Sequence, residues 1–458
     1  MNSTNGFITE PARQTPVIKE TDILVVGGGP AGITAAIGAA EGGSRVVLVE
    51  GNSFLGGNLT IGIPILGFLS RKGEPIIKGL PQRLIDRLKT VGAASEHQTC
   101  PLHVSITIID PEIVKTIAMK MLLEANVEII LYSHFAEALL DGDKITGCVF
   151  QTKGRREAIL AQTVIDCTGD GDVAYRAGVP CEKGDQTGGM QPPTLMFRMD
   201  NVDTDKLRMC IAETPEKFQM DVIPPNYFAT HARFITVGLR NLIDQAREAK
   251  IEVVTDRTII ITGIKKGEAW INMTRVRGID GSDAHSLTHG EIEARRQIDG
   301  LVRYLTGYVP GFESARFAMT APFLGIRESR RMVGKYMFKR EDILACRRFD
   351  DAVAVGSYPI DIHRPGDNDC TMEWCDDCYD IPYRSLLPLN VRQLLVAGRC
   401  CGTTHEAMAA TRVMSTCMAL GEAAGRAAAL AHCCSVEPAN INVQQLQTNL
   451  RNAGCYFR

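Results

Sequence analysis

The hydrophobic pattern predicts buried strands in segments that lie far apart along the chain. Apolar runs at 23–26 and 46–49 flank a segment rich in alanine, which is typical of a strand–helix–strand unit. Another apolar run at 164–167 predicts a further buried strand. The same character returns late, with an apolar run at 394–396 and a small-residue helix over 411–430. The pattern therefore predicts an α/β domain assembled from distant segments.

Alternating residues between these buried runs predict an antiparallel meander. Its strands are expected at 135–140, 145–151 and 158–160, separated by turns at Asp141-Gly142 and Lys153-Gly154. Amphipathic helices are predicted over 76–88 and 442–451. Two further helices carry start signals: Asp110 as N-cap with Pro111 following it, and Thr288 with Glu291 in capping-box spacing before a helix to about 307.

The pattern changes near residue 180, where proline-rich turns and mixed strands replace the α/β character. A chain of 458 residues is also too long for one small core. We therefore predict a Rossmann-type domain, with a parallel sheet plus a β-meander, interrupted by an inserted α+β substrate domain. The predicted boundaries are an N-terminal leader at 1–20, the first domain at 21–179 and 386–432, the inserted domain at 180–385, and a tail helix at 433–458.

Glycines in the first strand–helix–strand unit have the spacing G-x-G-x-x-G. Gly27 permits a tight turn, Gly29 lets the backbone approach a pyrophosphate, and Gly32 lets the helix pack on the strand. Glu50 ends the second strand, where a ribose-binding acid is expected. We interpret the unit as a dinucleotide site rather than a ligand-free turn. The predicted phosphate loop comprises Gly27, Gly29, Pro30, Ala31 and Gly32.

A second glycine-rich loop follows Glu50 directly. Gly56 and Gly57 would allow a ligand to approach the backbone, and Asn58 and Thr60 supply polar side chains. This loop is suited to the second half of a large nucleotide. A merely flexible loop is the alternative interpretation.

Composition limits the classes of partner. The net charge of −3 disfavours nucleic acid and anionic membranes as partners. The longest uncharged stretch, 51–70, contains five glycines and Pro64, so we interpret it as a buried loop rather than a membrane span. Residues 1–20 lack the features of a signal peptide. Together with fifteen cysteines, this favours free thiols in a reducing cytoplasm.

Several motifs together resemble those of a known family. They are VVGGGPAGITAA (25–36), LVEGNSFLGGNLT (48–60), VIDCTGDGDVAYRAG (164–178), GIRESRRMVG (325–334), YPIDIH (358–363) and LLVAGRCCGTTHEAMAATRVMSTCMALGEAAG (394–425). The chain resembles the FAD-binding fold of the glutathione-reductase type. More narrowly, it is similar to the bacterial FAD-dependent oxidoreductase family related to succinate dehydrogenase and fumarate reductase flavoproteins. The resemblance implies an enzyme that transfers a hydride between FAD and a small organic substrate.

The resemblance also implies roles for residues that hold the adenosine half of FAD. Glu50 would bind the ribose, and the backbone of Phe135 would lie beside the adenine. Thr168, Gly169 and Asp170 would close over the nucleotide half.

The flavin half would lie near the late segment. Gly398 and Arg399 would meet the ribityl chain, and a helix that begins near Met414, Ser415 and Thr416 would face the flavin pyrimidine ring. A helix N-terminus stabilises the negative charge that develops there on reduction.

Two departures from the family pattern matter. Residues 51–70 contain no His, Cys or Tyr, so we expect FAD to be bound non-covalently, with Cys400 or Cys401 as a less favoured point of attachment. There is also no second G-x-G-x-x-G before a helix. A dedicated NAD(P) domain is therefore not expected, and the electron donor or acceptor stays open.

Candidates for proton transfer are two histidines. His363 alternates with Asp361, whose carboxylate could orient the imidazole. His405 follows the late strand closely and is the second candidate. A structural role is the alternative for both residues.

Arginines supply a candidate anion site. Arg327 and Arg330 are three residues apart, so on a helix they would share a face and could hold a substrate carboxylate. A salt-bridged helix that uses Glu328 is the alternative.

The cysteines at 370, 375 and 378 have the spacing of part of a plant-type [2Fe–2S] ligand set, or of a partial zinc site. We favour free thiols and predict no metal, with a redox disulfide also open. A flavin monooxygenase and an electron-transfer subunit of a larger complex are the alternative functions. A homo-oligomer is possible.

Overall fold

The computed structural model describes residues 10–366 and 370–458. In chain order, the helices are α1 Pro30–Glu41, α2 Leu80–Lys89, α3 Pro111–Glu124, α4 Asp172–Arg176, α5 Thr204–Glu213, α6 Pro225–Thr230, α7 Arg240–Glu248, α8 Ala284–Tyr308, α9 Arg340–Leu344, α10 His405–Thr411, α11 Met414–Cys434 and α12 Val443–Asn452. Short 3-10 turns lie at Gly57–Thr60, Pro215–Lys217, Tyr383–Leu386 and Pro438–Asn440.

The strands complete the set of elements. They are β1 Val17–Val26, β2 Val46–Val49, β3 Ile65–Leu66, β4 Gln98–Cys100, β5 Val104–Thr107, β6 Glu128–Ile130, β7 His134–Asp141, β8 Lys144–Gln151, β9 Arg156–Asp166, β10 Cys181–Lys183, β11 Phe197–Asp200, β12 Ile235–Gly238, β13 Thr258–Thr262, β14 Ala269–Ile271, β15 Arg316–Thr320, β16 Arg330–Met332, β17 Ala352–Gly356, β18 Ile360–His363, β19 Cys370–Glu373, β20 Tyr379–Pro382 and β21 Leu394–Val396.

A seven-stranded sheet forms the centre of the fold, in the order β6-β2-β1-β9-β8-β7, with β21 also paired to β9. The β6, β2, β1, β9 and β21 pairings are parallel, and Val25 lies opposite Leu48 on one side and Ile165 on the other. The β7–β8–β9 pairings are antiparallel. The predicted α/β fold class, a parallel sheet joined to a meander, is confirmed.

Strand β9 is longer than the pattern predicted. The segments expected at 158–160 and 164–167 form one strand, Arg156–Asp166, although Gln162 between them is exposed. The strand continues through this polar residue because β1 pairs with it from Val17 onward. Residues 17–20, at the end of the predicted leader, belong to β1, and residues 1–9 lie outside the described residues.

The late segment joins the first by direct contact between helices α1 and α11. A side chain at Gly421 or Gly425 would place its Cβ 2.0 Å from the carbonyl oxygen of Ala31 or Ala35. The hydroxyl of Thr34 also donates a hydrogen bond of 2.7 Å to the carbonyl of Met418. Glycine at these two positions therefore lets the two backbones touch.

One predicted helix is two helices in the structure. The small-residue stretch predicted as a helix over 411–430 lies in α10 and α11, which are separated at Arg412 and Val413. The break gives α11 its own N-terminus at Met414, and no side chain caps it. Periodicity did not reveal the break, because small residues flank Arg412 on both sides.

The start signals of the other helices were only partly interpreted correctly. Asp110 caps α3 as predicted, accepting hydrogen bonds from the backbone N–H groups of Glu112 and Ile113. Helix α8 instead begins one turn before the predicted Thr288, because Asp283 accepts the capping hydrogen bond from the N–H of Ser286. Helix α2 begins at Leu80 rather than 76, and α12 agrees with its prediction.

A second sheet lies within the residues predicted as the inserted domain. It is antiparallel, with the order β12-β13-β14-β11-β15, and helix α8 shares its hydrophobic core. Small two-stranded sheets, β17 with β20 and β18 with β19, follow in the chain. Across the part of the chain that the structure describes, no helix has the length and apolarity needed to cross a membrane.

The contact between α1 and α11 predicts opposite results for one substitution at two helical glycines. Gly425→Ala should lower the free energy of unfolding by about 2 kcal/mol or more, because the new methyl group meets the Ala35 carbonyl. Gly307→Ala in α8 should raise it by about 0.5–1 kcal/mol, because nothing lies within 4 Å. Thermal unfolding followed by circular dichroism measures both. Shifts of the same sign would contradict the close helix contact.

Candidate functional site

A groove of about 570 Å³ follows the carboxyl ends of the parallel strands. Its lining includes Val26, Val49 and Ala397, which end or directly follow β1, β2 and β21. Ligands of open α/β sheets bind at this edge, because the loops there are free to vary. The groove is therefore the first candidate site.

The first glycine loop forms one wall of the groove. A Cβ at Gly27 would lie 2.5 Å from the carbonyl oxygen of Cys167, and one at Gly32 would lie 1.8 Å from the carbonyl oxygen of Gly27. Helix α1 begins at Pro30 without a side-chain cap. Its N-terminal N–H groups can therefore bind an anion in the groove, where Gly29 and Ala31 also lie.

Glu50 holds the turn that follows β2. One carboxylate oxygen accepts a hydrogen bond of 2.7 Å from the N–H of Gly28, and the other accepts one of 2.8 Å from the N–H of Asn52. The oxygen that faces Asn52 also accepts a hydrogen bond of 2.8 Å from the side-chain amide of Asn52, whereas the oxygen that faces Gly28 keeps a further lone pair. Glu50 also lines the groove, so it can accept hydrogen bonds from ligand hydroxyls.

The second glycine loop is docked on the first. The N–H of Gly56 donates a hydrogen bond of 2.8 Å to the carbonyl of Gly28, and a Cβ at Gly57 would lie 3.0 Å from Cα of Gly29. Gly57 and Asn58 line the groove. Thr60 is buried and donates to the carbonyl of Gly57, so its side chain shapes the loop instead.

An ion pair joins residues 168–172 (the TGDGD segment) to residues 397–399 (the AGR segment). The guanidinium of Arg399 lies 2.6 Å from Oδ1 of Asp170, and its Nε donates to the carbonyl of Gly169. Thr168 donates a hydrogen bond to Asp166, which is buried. Gly398 and Phe135 also line the groove, so residues from widely separated parts of the chain meet there.

The start of α11 forms the far end of the groove. Met414 lines the groove, whereas Ser415 and Thr416 are buried and are not among the residues that line it. The hydroxyl of Ser415 donates to the carbonyl of Leu66. Of the predicted cofactor residues, those that line the groove are Gly27, Gly29, Pro30, Ala31, Glu50, Gly57, Asn58, Phe135, Thr168, Gly169, Asp170, Gly398, Arg399 and Met414.

A second cavity of about 130 Å³ adjoins the groove. The residues that line both are Asn58, Ile326, Arg412 and Met414. Strands β12 and β13 contribute an apolar wall, and polar residues gather on the side that includes Arg327, Asp361 and His363. A molecule in this cavity would therefore lie next to a ligand in the groove.

Arg327 presents a positive charge to this cavity. Its guanidinium donates to the carbonyl of Pro192 at 2.5 Å and to the hydroxyl of Thr194 at 2.8 Å. Within residues 10–366 and 370–458, no carboxylate forms an ion pair with it. Burial of the guanidinium and the charges of Arg412 and Arg275 lower the pKa of Arg327 to about 9, so it is cationic at neutral pH.

Arg412 was not predicted as a site residue. It lies in the break between α10 and α11, and its guanidinium donates to the carbonyl of Asp361 and lies 3.7 Å from that carboxylate. Its Nε is buried and has no acceptor among the described residues. The sequence feature that points to Arg412 is its position just before the helix expected to face the flavin.

His363 and Asp361 are neighbours in the cavity, as predicted. Nε2 of His363 lies 3.5 Å from Oδ2 of Asp361, and Nδ1 lies 3.4 Å from the guanidinium of Arg275. These contacts assign the imidazole proton to Nε2, facing the carboxylate. Burial and the charge of Arg327 lower the pKa of His363 to about 4, so the imidazole is neutral at pH 7.

Asp361 remains ionised in this environment. Burial alone would raise its pKa, but His363 and Arg412 outweigh that effect and hold the pKa well below its ordinary value. The hydroxyl of Tyr358 donates to the same carboxylate at 3.0 Å. His103, which also lines the cavity, was not predicted either, because nothing around it in the sequence marks it.

The predicted helix that carries Arg327 and Arg330 is wrong. Residues 326–329 have no regular structure and Arg330 begins strand β16, so the two side chains do not share a helix face. Arg330 instead donates to the carbonyl of Asp170 and pairs with the carboxylate of Asp172. It supports the groove and does not enter the cavity, because the carbonyl of Asp170 and the carboxylate of Asp172 hold it.

His405 does not face the groove or the cavity. Its Nδ1 lies 2.8 Å from the buried carboxylate of Glu328, which also pairs with Arg331. The predicted acid/base role of His405 is therefore not supported by its position. The buried carboxylate of Glu328 holds this histidine. The spacing of residues along the chain cannot reveal this contact between His405 and Glu328.

The cysteine run divides between two environments. The sulfur of Cys370 lies 2.7 Å from the guanidinium of Arg257 at the cavity wall, whereas Cys375 and Cys378 are buried in the core of the α/β part. No group of three residues that could hold a metal ion is present in the described residues. The absence of a metal stays a prediction.

The uncapped helix start, the glycine cradle and the acid at the end of β2 define a dinucleotide-binding protein. A family model described as "FAD dependent oxidoreductase" matches residues 22–450. The chain belongs to this family, and FAD is its cofactor. A Cβ at Gly29 would have only the Cα of Gly57 within 4 Å, at 4.0 Å, so open space lies beside this backbone for the diphosphate of FAD.

Curated relatives match over part of the chain. A thiamine thiazole synthase from Aeropyrum pernix is 29% identical over 175 residues, which are 34% of this chain and 57% of that protein. An NADH oxidase from Thermoanaerobacter brockii is 53% identical over 49 residues, which are 11% of this chain and 7% of that protein. The matches thus span about half of one relative and a small part of the other.

Solved structures also resemble the chain. A flavoprotein/dehydrogenase from Cytophaga hutchinsonii has a TM-score of 0.48 at 12% identity, covering 95% of this chain and 84% of that one. A geranylgeranyl bacteriochlorophyll reductase-like protein from Thermoplasma acidophilum has a TM-score of 0.44 at 14% identity, covering 95% and 83%.

Buried histidines predict that acid destabilises the protein. Burial lowers the pKa values of His97, His103 and His363 to about 4, whereas an unfolded histidine has a pKa of about 6.5. Between these values the unfolded chain binds more protons, so stability falls as the pH decreases from 6.5 to 4. Each histidine contributes up to about 1.4 kcal/mol per pH unit.

His97 isolates one of these contributions, because it contacts Thr107 and Gln82 and lines neither cavity. Thermal unfolding at pH 7.5 and pH 5 should show a smaller difference for His97→Gln than for the wild type. An equal difference would contradict the assignment.

Proposed function

We propose that this protein transfers a hydride between a small organic molecule in the second cavity and FAD in the groove. The observation that carries the proposal is the shared lining of Asn58, Ile326, Arg412 and Met414. A substrate held in the cavity would lie against the end of the groove where α11 begins. When bound, FAD supplies the two-electron chemistry at this boundary.

The chain's own groups would stabilise charge there. The N-terminus of α11 and the guanidinium of Arg412 both place positive charge at the boundary between groove and cavity. Positive charge stabilises the negative charge that develops on flavin reduction and raises the reduction potential.

His363 would be the group that accepts the substrate proton. Once substrate replaces the 3.4 Å contact with Arg275, Nδ1 would accept the proton that a substrate O–H or N–H group loses as the adjacent carbon loses its hydride. Nε2–H then remains directed at Asp361, whose charge would stabilise the imidazolium. In the reverse direction, the same pair would return the proton.

Other features of this proposal rest on the sequence. We propose non-covalent FAD, domain boundaries at 21–179, 180–385, 386–432 and 433–458, and a relationship to succinate dehydrogenase and fumarate reductase flavoproteins. We also propose a cytoplasmic enzyme, with an electron donor or acceptor still to be identified and the possibility of a homo-oligomer. The fifteen cysteines are free thiols in the structure, which supports a reducing compartment.

The experiment that tests the function combines flavin content with proton transfer. Purified protein should be yellow and release free FAD on denaturation. His363→Ala should keep FAD but slow anaerobic flavin reduction at least about 100-fold, because the proton acceptor is lost. The probe is the first compound that bleaches the wild-type flavin in a screen of small alcohols, amines and acids.

His289→Ala is the matched control, because this histidine is exposed on α8. It should reduce at the wild-type rate. Colourless protein that cannot bind added FAD would overturn the function. An unchanged rate in His363→Ala would remove His363 from the mechanism.

A further inference from the structure

We propose that the substrate is a small monocarboxylate with an apolar body, whose carboxylate lies between Arg327 and Arg412. This inference rests on the proposed function and names the substrate class of the same cavity. The flavin-facing end of the cavity is cationic and its opposite wall is apolar.

The charges that face the cavity do not balance within the described residues. Arginines 257, 327 and 412 and one carboxylate, Asp361, line it. Arg257 already pairs with Asp221 at 2.9 Å, and Asp361 lies within 4 Å of both His363 and Arg412. Arg327 has only neutral acceptors. A largely desolvated cation without an anion is costly, and an anionic ligand offsets that cost.

An unused donor of Arg412, which lines the cavity, strengthens this argument. Gln191, which contacts Arg412 but does not line the cavity, carries another. Nε of Arg412 and the side-chain nitrogen of Gln191 are both buried without an acceptor in the described part of the chain. The oxygen of Gln191 accepts from the backbone N–H of His363 and lies 3.5 Å from Arg412, which leaves its nitrogen as an unsatisfied donor. A carboxylate has about four lone-pair sites. It therefore matches a site that is rich in donors and poor in acceptors.

The rest of the cavity excludes a second charge. Its walls away from Arg327 are the side chains of Leu66, Met196, Ile235, Val237, Ile259 and Ile261. Arg257 is already paired with Asp221, a carboxylate that Arg240 also contacts, so a second carboxylate would have to compete with Asp221 for this cation. A volume of about 130 Å³ is similar to that of cavities that hold benzene. The cavity thus suits an apolar body of about six carbons.

The geometry also orients the substrate. Arg412 and Ile326 border both the groove and the cavity, and Arg327 follows Ile326 directly. A carboxylate held by the two arginines would therefore lie near the flavin. The reacting carbon would be the one beside the carboxylate, and the apolar body would extend toward strands β12 and β13.

Binding of unreactive probes tests the substrate class without turnover. The FAD-loaded enzyme is titrated with butyrate, hexanoate, hexanamide and adipate, followed by flavin absorbance and by calorimetry. Hexanoate should bind about 10-fold more tightly than butyrate, because two more methylenes are buried. It should bind at least about 30-fold more tightly than hexanamide or adipate, because one charge is needed and a second is excluded.

Substitutions at the two ends of the cavity test which end binds the carboxylate and which binds the apolar body. Arg327→Gln should weaken hexanoate about 30-fold and leave hexanamide nearly unchanged, and Arg327→Lys should recover part of the loss. Arg208→Gln is the control, since Arg208 pairs with Asp205 and lines neither cavity. Ile259→Ala, which tests the apolar end should Arg327→Gln fail to fold, should reduce the preference for hexanoate over butyrate.

The outcomes separate this inference from the proposed function. The monocarboxylate inference would be overturned if hexanamide or adipate bound as tightly as hexanoate. It would also be overturned if a folded Arg327→Gln variant bound hexanoate unchanged. In either case, an enzyme that holds FAD and can be reduced would still support the proposed function. Protein without FAD would overturn the function, and calorimetry would still report whether the cavity prefers the monocarboxylate.

Discussion

The fold depends on a backbone contact between two helices that are distant in the chain. Helix α11 can bring the late segment beside the first glycine loop only because Gly421 and Gly425 let it touch the carbonyls of α1. The same approach brings Arg399 to Asp170 and places the start of α11 at the end of the groove. One steric requirement at two glycines therefore assembles the cofactor site.

The groove and the cavity differ in the charged groups that they present. Uncapped helix starts at Pro30 and Met414 offer N–H groups to an anionic cofactor, and arginine charge accumulates where groove and cavity meet. Asp361 balances only part of that charge and keeps His363 oriented. The remaining positive charge is what an anionic substrate would neutralise, which links substrate choice to the same boundary that serves the flavin.

The local backbone geometry was predictable from the sequence, whereas the ion-pair partners of the charged side chains were not. Gly27 and Gly32 were identified because the turn and the helix–strand contact that need them lie within one short unit. The positions of the Arg330 and His405 side chains were not predictable, because carboxylates far away in the chain, at Asp172 and Glu328, hold them. Arg412 was not predicted because small residues flank the helix break on both sides, and nothing local marks where the helix ends.

Hydrogen exchange with and without added FAD tests the central claim most directly. That claim is that separated segments close around a single FAD. Exchange should slow together in residues 27–32, 168–170 and 398–416, because all three segments line the groove or support its lining. Protection confined to 27–32, or absent from 398–416, would contradict the account.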